Sequence, residues 1–312
     1  MKKEFHDLIK EICKNNNINY KVISNNWIIV LEKNNIKKMI AGYKFDNNDY
    51  SLGKIFDDKY ATYELLKLYN IDVAEHNLIY SLNNKNDYAQ KYNSFNYINK
   101  LFYKYNKKVV LKINNGSCGT NVFKIENKKQ LKEIFLNLDN EKSYSICPYY
   151  NVENEYRTIV LNNQIKLMYK KELPVVYGDG KSTIKELLCK FNNQYFKNIE
   201  NDKILKPNKK YVYNWKFNLS QGSIANFDIA ESDKKEILKI INKILDNFKI
   251  GFCSIDIIKT KSKFMVLEIN SGVMMSNIIK ENENGKKIAY EIYEEAIKQM
   301  FNEKIWKKSY FF

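Results

Sequence analysis

Apolar residues recur three and four positions apart from Phe5 to Cys13, the period of a helix with one buried stripe. Strand-like KVI and WIIVLE follow, parted by Ser24-Asn25-Asn26, so residues 1–56 predict a short amino-terminal αβ subdomain. In DDKYATYELLKLYNI the spacing predicts a helix capped by Asp57 or Asp58, with Leu65, Leu66 and Leu68 on its apolar side. KKVVLKI and NVFKIEN predict two strands joined by an Asn-Gly-Ser-Cys-Gly-Thr loop. Asn127 with Gln130 then starts a helix over KKQLKEIFLNL. SYSICPYY and YRTIVLNNQIKLMYKKE predict consecutive strands, with Asn162-Asn163 as a hairpin turn. VVYGDGKSTIKELL runs through a Gly-Asp-Gly turn into a helix capped by Ser182 or Thr183, and the stretch from Lys206 to Asp228 is strand-like and then loop-like. SDKKEILKIINKILDNF carries Ile237, Ile241, Ile244, Leu245 and Phe248 on one helical stripe. GFCSIDIIK and KFMVLEIN predict a hairpin, and KKIAYEIYEEAIKQMF a closing helix.

Three polar stretches interrupt this pattern in ways that suggest chemistry. In VVLKINNGSCGTNVF, Lys112 precedes Gly116 and Gly119, and the glycine loop joins strand to strand. A P-loop places its lysine after the glycines at a helix start, and a dinucleotide fingerprint also needs a helix behind its glycines, so both are excluded. In the last hairpin Glu268 and Asn270 lie two apart and share a strand face. The tight turn at TKSK sets Asp256 across from them, with Ile255, Ile257, Leu267 and Ile269 on the opposite, buried face. Two carboxylates and an amide oxygen on one face are hard ligands suited to Mg²⁺, although a half-exposed polar sheet face gives the same pattern. In KFNLSQGS, Lys216, Asn218, Ser220 and Gln221 surround Gly222 and could present donors to a phosphate or carboxylate; an ordinary surface turn reads the same way.

Composition narrows the classes further. The 312 residues carry 52 Lys+Arg against 36 Asp+Glu, a net charge of +16, but the basic residues are dispersed and accompany abundant Asn, Ile and Tyr. That spread speaks against nucleic acid as the partner and fits a general attraction for anionic ligands such as ATP. Five scattered cysteines without a C-x-x-C pair argue against a disulfide framework, and two histidines argue against the usual zinc sites and a Cys–His pair. No apolar run reaches membrane-spanning length and no secretory leader is visible, so the expected setting is the cytoplasm, without a membrane partner; a homodimer is allowed.

The order of these pieces, over roughly residues 55 to 300, resembles the ATP-grasp superfamily of carboxylate–amine ligases, closest to the branch with cyanophycin synthetase and the ribosomal-protein glutamate ligases. The resemblance implies an α+β ATP-grasp fold with ATP held between two αβ subdomains. The expected division is 1–56, an amino-terminal αβ subdomain; 57–146, a central subdomain with the glycine loop; and 147–312, a carboxy-terminal subdomain with the metal hairpin. It implies that Lys59, leading the DDKYATYELL helix, and Lys112 contact ATP phosphates, and that Gly116, Ser117, Gly119 and Thr120 belong to a lid. Cys118 is read as a small lid residue without a catalytic role. VVYGDGKSTIKELL is similar to the G-D-G segment of that branch and KFNLSQGS to its asparagine-leucine-serine loop. IDII…VLEIN resembles the Mg²⁺ hairpin carrying Asp256, Glu268 and Asn270, where Mn²⁺ could substitute.

The chain departs from the family in two places. The hinge that receives adenine usually holds a glutamate, whereas here Cys147-Pro148-Tyr149-Tyr150 occupies it, which leaves adenine and ribose to backbone, Cys147, Tyr149 and Glu153 or Glu155. After the metal hairpin the family commonly has a Pro-Gly loop, and this chain has Asn270-Ser271-Gly272-Val273-Met274-Met275. The implied reaction is ATP-dependent amide formation through an acyl phosphate, releasing ADP and phosphate, on an amino acid or peptide. Arg157 and Lys216 are the candidates for the γ-phosphate and developing charge, with Asn218 beside them; an ion pair of Arg157 with Glu153 or Glu155 is the structural alternative. A phosphotransferase that stops after phosphorylation is the rival reading, and a basic nucleic-acid-binding protein a third.

Overall fold

The computed structural model describes residues 1–116, 119, 121–190, 196, 199–281 and 284–302. Helix α1 (Lys3–Asn15) buries Phe5, Leu8, Ile9, Ile12 and Cys13, the stripe its sequence predicts. An antiparallel meander follows, β1 (Asn19–Ile23), β2 (Ile28–Lys33), β3 (Ile36–Ala41) and β4 (Lys44–Phe45). Its turns use left-handed Ser24, Asn25 and Asn26, then Asn34 and Asn35. The last two strands escape sequence reading because lysines interrupt β3 and β4 has only two residues.

Helix α2 (Tyr50–Phe56) leads to α3 (Lys59–Leu68), whose N-cap is Asp58: its carboxylate accepts from Ala61 N at 2.8 Å. The helix buries Lys59, Thr62 and Leu66. Leu68, expected on the apolar side, is 74% exposed, because the helix ends there and the stripe has already rotated past it. Strand β5 (Asn77–Tyr80) and helix α4 (Phe95–Lys104) precede β6 (Val109–Ile113), β7 (Val122–Ile125), α5 (Lys128–Leu136) and β8 (Ser143–Pro148). These strands form one antiparallel sheet in the order β5-β8-β6-β7. One face packs Ile79, Val109, Leu111, Ile125, Tyr144 and Ile146 with the two helices into a closed core.

The hairpin of β9 (Asn154–Leu161) and β10 (Gln164–Glu172) turns at left-handed Asn162 and Asn163, as its sequence predicts. A small lobe follows from β11 (Val175–Tyr177), α6 (Ile184–Cys189) and β12 (Lys210–Val212), around Val176, Ile184, Leu187, Leu188, Phe196 and Leu205. Thr183 and Glu186 close α6 with a reciprocal capping box. Strand β13 (Ile224–Asn226) pairs with β10, and α7 (Glu231–Asn247) buries Ile237, Ile241 and Ile244. The hairpin of β14 (Phe252–Lys259) and β15 (Phe264–Asn270) is followed by α8 (Ser276–Glu281) and α9 (Gly285–Met300).

The chain divides into two compact units. One holds residues 1–47, 154–231 and those from 272 onward; Phe5, Tyr43, Phe45 and Tyr293 form an aromatic cluster joining α1, the meander and α9. The other holds residues 48–153 and 232–271, so the lysine strand β6 and the acidic hairpin β14–β15 belong to one body although more than a hundred residues separate them in sequence. Among the described residues no helix is long and apolar enough to cross a membrane.

Candidate functional site

Strand alternation makes the lysine-bearing face of the β5-β8-β6-β7 sheet. Val109 and Leu111 point into the core, so Val110 and Lys112 point the other way, and the register sets Ser145 beside Lys112 and Cys147 beside Val110. On the same face Lys124 pairs with Val110 from β7, and Tyr149 continues the row beyond β8, its N–H donating to Lys108 O at 2.9 Å. The Tyr149 ring has the Lys108 and Lys124 ammoniums 4.4 and 4.7 Å from its centroid, and both lysines pair with Glu126 at 3.0 and 3.1 Å. Cys147 is buried, which pushes its thiol up from the usual range.

Helix α3 brings a second ammonium to this face. Lys59 is 7% exposed, and its Nζ donates to Gly116 O at 2.6 Å and Asn114 O at 3.3 Å. Asn114, just beyond β6, fixes the start of that helix. Its backbone carbonyl accepts from Lys59 N at 3.2 Å and its side-chain Oδ1 from Tyr60 N at 3.0 Å. Two of the helix's otherwise unsatisfied N–H groups are thereby tied to the root of the glycine loop.

The hairpin supplies the opposing charge. Asp256 and Glu268 are direct cross-strand partners, and Ser254 faces Asn270 on the next rung of the same face. Asp256 is 2% exposed, so the water-facing alternative is set aside at that position. Glu268 Oε2 lies 3.9 Å from Lys59 Nζ and 3.8 Å from Lys112 Nζ, while Asn270 Nδ2 donates to Glu268 Oε1 at 3.3 Å. Burial pushes the Lys59 ammonium down from the usual lysine range; Glu268 opposes this and Lys112 adds to it. A bulge between Asp256 and Ile257 breaks the expected alternation, and Leu267 packs against Ala74, Ile258 and Met265 rather than with Ile255, Ile257 and Ile269. Asp57, the other candidate cap, accepts from Ser271 N at 3.1 Å and Ser271 Oγ at 2.8 Å and so anchors the end of β15.

Two cations thus converge on one carboxylate oxygen, beside a second, buried carboxylate. Neither ammonium sits at close ion-pair distance from Glu268, and both keep donors that a multiply charged anion could accept. Among the described residues no group of three His, Cys, Asp or Glu side chains gathers as metal ligands. The hairpin's set is two carboxylates and an amide, hard oxygen donors of the kind that suit Mg²⁺ with its remaining positions left to water or phosphate.

Ser117 and Thr120, like Cys118, lie outside the described residues; Gly119 is left-handed at φ 69°. Glu155, Arg157, Lys216 and Asn218 belong to the first unit. Glu155 and Arg157 share a face of β9, where Glu155 Oε1 accepts from the buried Lys171 ammonium of β10 at 2.5 Å. Asn218 Oδ1 accepts from Ser220 N and Oγ at 2.9 and 2.7 Å, which turns the chain into a short 3₁₀ segment, Leu219–Gln221. Gly222 ends it at φ 94°, and a Cβ there would lie 2.1 Å from Phe196 Cζ, so only glycine fits. Partial burial pushes the Lys216 ammonium down. In the G-D-G turn, Asp179 accepts from Lys181 N, Ser182 N and Ser182 Oγ at 2.7–2.9 Å, and these bonds lower its carboxyl pKa.

Sequence reasoning did not find Asn114, His76 or Ser145, all almost wholly buried. His76 Nδ1 lies 2.6 Å from Ser145 Oγ and its Nε2 3.4 Å from Leu267 O. Burial, then Lys112 and Lys59, hold its imidazole pKa well below 6.5. The one signal for these residues is a polar side chain within or beside an otherwise apolar strand.

No protein-family profile matches the sequence, and no curated protein matches it in a sequence search. Solved structures do match. A bifunctional glutathione synthetase from Pasteurella multocida superposes with a TM-score of 0.54 at 16% identity, over 97% of this chain and 44% of that one. A D-alanine–D-alanine ligase from Bacillus anthracis matches with a TM-score of 0.51 at 13% identity, over 80% of this chain and 69% of that one. A carboxyaminoimidazole ribonucleotide synthase from Aspergillus clavatus, solved with ATP, matches with a TM-score of 0.52 at 12% identity, over 84% of this chain and 56% of that one. The chain therefore spans less than half the length of the first of these proteins, and at such identities the likeness carries the fold.

Proposed function

The chain has the ATP-grasp fold, and from that premise and its lysine–carboxylate cluster we propose that it is an ATP-dependent carboxylate–amine ligase. The observation that carries this reading is the convergence of Lys59 and Lys112, from different elements, on the one carboxylate of Glu268 opposite Asp256. Such a cluster suits a polyphosphate and a divalent cation together.

In this reading Lys59 and Lys112 hold the α- and β-phosphates of ATP as fixed point charges. Asp256, Glu268 and Asn270 would hold Mg²⁺, or Mn²⁺ in its place, and the cation would neutralise phosphate charge. The loop from Gly116 to Thr120 acts as the lid; Lys59, bonded to Gly116 O at its root, releases that carbonyl when phosphate arrives. The platform of Val110, Cys147 and Tyr149 takes the base, and Glu155 is assigned to the ribose. Arg157, Lys216 and Asn218 are assigned to the γ-phosphate and the substrate carboxylate. The carboxylate oxygen attacks the γ-phosphorus and ADP leaves. The amine nitrogen then attacks the acyl carbon, phosphate departs and the amine loses a proton. These steps need positioning and charge neutralisation, and a lid that keeps water from the acyl phosphate. Cys13, Cys147, Cys189 and Cys253 are free thiols, which supports the cytoplasmic setting.

The test is ADP release from ATP and Mg²⁺ with amino acids and short peptides offered in pairs as carboxylate and amine. Release that requires both partners is expected. Release indifferent to the amine favours a phosphotransferase on the same fold, and salt-sensitive retention of DNA or RNA without ADP release favours the non-catalytic reading.

A further inference from the structure

Behind the lysine–carboxylate cluster lies a buried pair that the chemistry above does not use. His76 and Ser145 are 1% and 0% exposed, and both ring nitrogens of the histidine are engaged. A backbone carbonyl can only accept, so Nε2 carries the proton toward Leu267 O, and Nδ1 accepts from the Ser145 hydroxyl. Each partner stands one step from a charged group of the cluster. Ser145 is the β8 residue in register with Lys112, on the same sheet face. Leu267 directly precedes Glu268, and the β14–β15 register passes over it at the bulge, so the imidazole N–H meets a carbonyl displaced from the regular ladder.

The segment that carries His76 is itself fastened to β15. Ala74 N donates to Val266 O at 2.7 Å, and Val266 N to Asp72 O at 2.8 Å. Residues 72–77 therefore stitch the lysine sheet to the acidic hairpin, and His76 is the side chain that bonds to both. We propose that His76 is a positioning residue that, through the Ser145 hydroxyl and the Leu267 carbonyl, sets the separation of Lys112 from Glu268. This inference rests on the reading that Lys112 and Glu268 handle the nucleotide's phosphates. Two groups that must act together on a phosphate tolerate little error, since a displacement near 1 Å costs on the order of 100-fold in rate.

The experiment is a double-mutant cycle read by nucleotide affinity, using a non-hydrolysable ATP analogue with Mg²⁺ in calorimetry on the full chain. His76→Leu weakens binding about tenfold in the parent but less than about threefold in a Lys112→Met background, because the group it positions is already gone. His76→Gln, which keeps a donor and an acceptor, recovers most of the parent affinity. Ser145→Ala removes one arm only and keeps the test open should His76→Leu fail to fold; it weakens binding in the parent and is silent with Lys112→Met. Equal losses in both backgrounds, or folded His76→Leu with parent affinity, overturn the proposal and assign His76 to packing alone. A parent chain that binds no nucleotide overturns the functional reading itself, and this inference with it.

Discussion

Replacing Lys112 by Met removes an ammonium and keeps the buried stem, so the perturbation isolates charge. In the free protein the ammonium lies 3.8 Å from Glu268 Oε2, where Lys59 remains at 3.9 Å on the same oxygen. An isolated pair at that distance would be worth about 4 kcal/mol at an effective dielectric constant near 20. Two terms reduce it: Glu268 is 24% exposed, and losing Lys112 relieves its repulsion of Lys59. The net cost to folding is about 1 kcal/mol or less. A phosphate held by Lys112 in a site where it is 8% exposed loses a charge-assisted hydrogen bond worth about 1.5–3 kcal/mol. At about 1.4 kcal/mol per tenfold, nucleotide affinity falls about 10- to 150-fold. Calorimetric titration with a non-hydrolysable ATP analogue and Mg²⁺ reads the affinity, and scanning calorimetry of the same sample reads the fold. Parent affinity in a folded Lys112→Met protein would refute the assignment of Lys112 to phosphate.

Asp256→Asn combined with Glu268→Gln keeps size and shape but removes both carboxylates; ADP release at saturating Mg²⁺ should vanish while the far-ultraviolet circular dichroism is retained. Gly222→Ala forces a left-handed residue and sets a Cβ 2.1 Å from Phe196 Cζ, so urea unfolding should show a loss of about 2–4 kcal/mol. His76 adds a pH dependence: its native pKa is depressed, so below pH 6.5 the unfolded chain takes up a proton that the native chain refuses. The contribution of His76 to stability therefore falls as pH drops from 6.5, by up to about 1.4 kcal/mol per unit, and is constant above. His76→Gln should reduce that slope by up to one proton, as read from denaturation midpoints at several pH values.

The parts of this molecule that were legible in its sequence share a local cause. Lys112 before its glycines, Glu268 two from Asn270, and the amphipathic stripe of α7 are each set by a period of two or 3.6 within one element. What was hidden depends on contacts between segments far apart in the chain. His76, Ser145 and Leu267 come together from three separate segments, and nothing in the neighbours of any one of them marks the others. The bulge beside Asp256 is equally silent, since one unpaired residue in an apolar strand leaves its pattern almost unchanged. Glu155 illustrates the limit on charge: the cross-strand register brings it the Lys171 ammonium from the other arm of the hairpin. Short strands such as β4 and β5 give too few positions to establish a period.

The claim that a carboxylate is activated by phosphorylation before amide formation is open to one direct measurement. Every carboxylate that supports amine-dependent ADP release can be supplied with ¹⁸O in its carboxyl group, and the released phosphate analysed by mass. An acyl phosphate passes one carboxyl oxygen to phosphate when the amine displaces it, so phosphate bearing a single ¹⁸O is the predicted result. Unlabelled phosphate, released together with ADP and a full yield of amide, would contradict it.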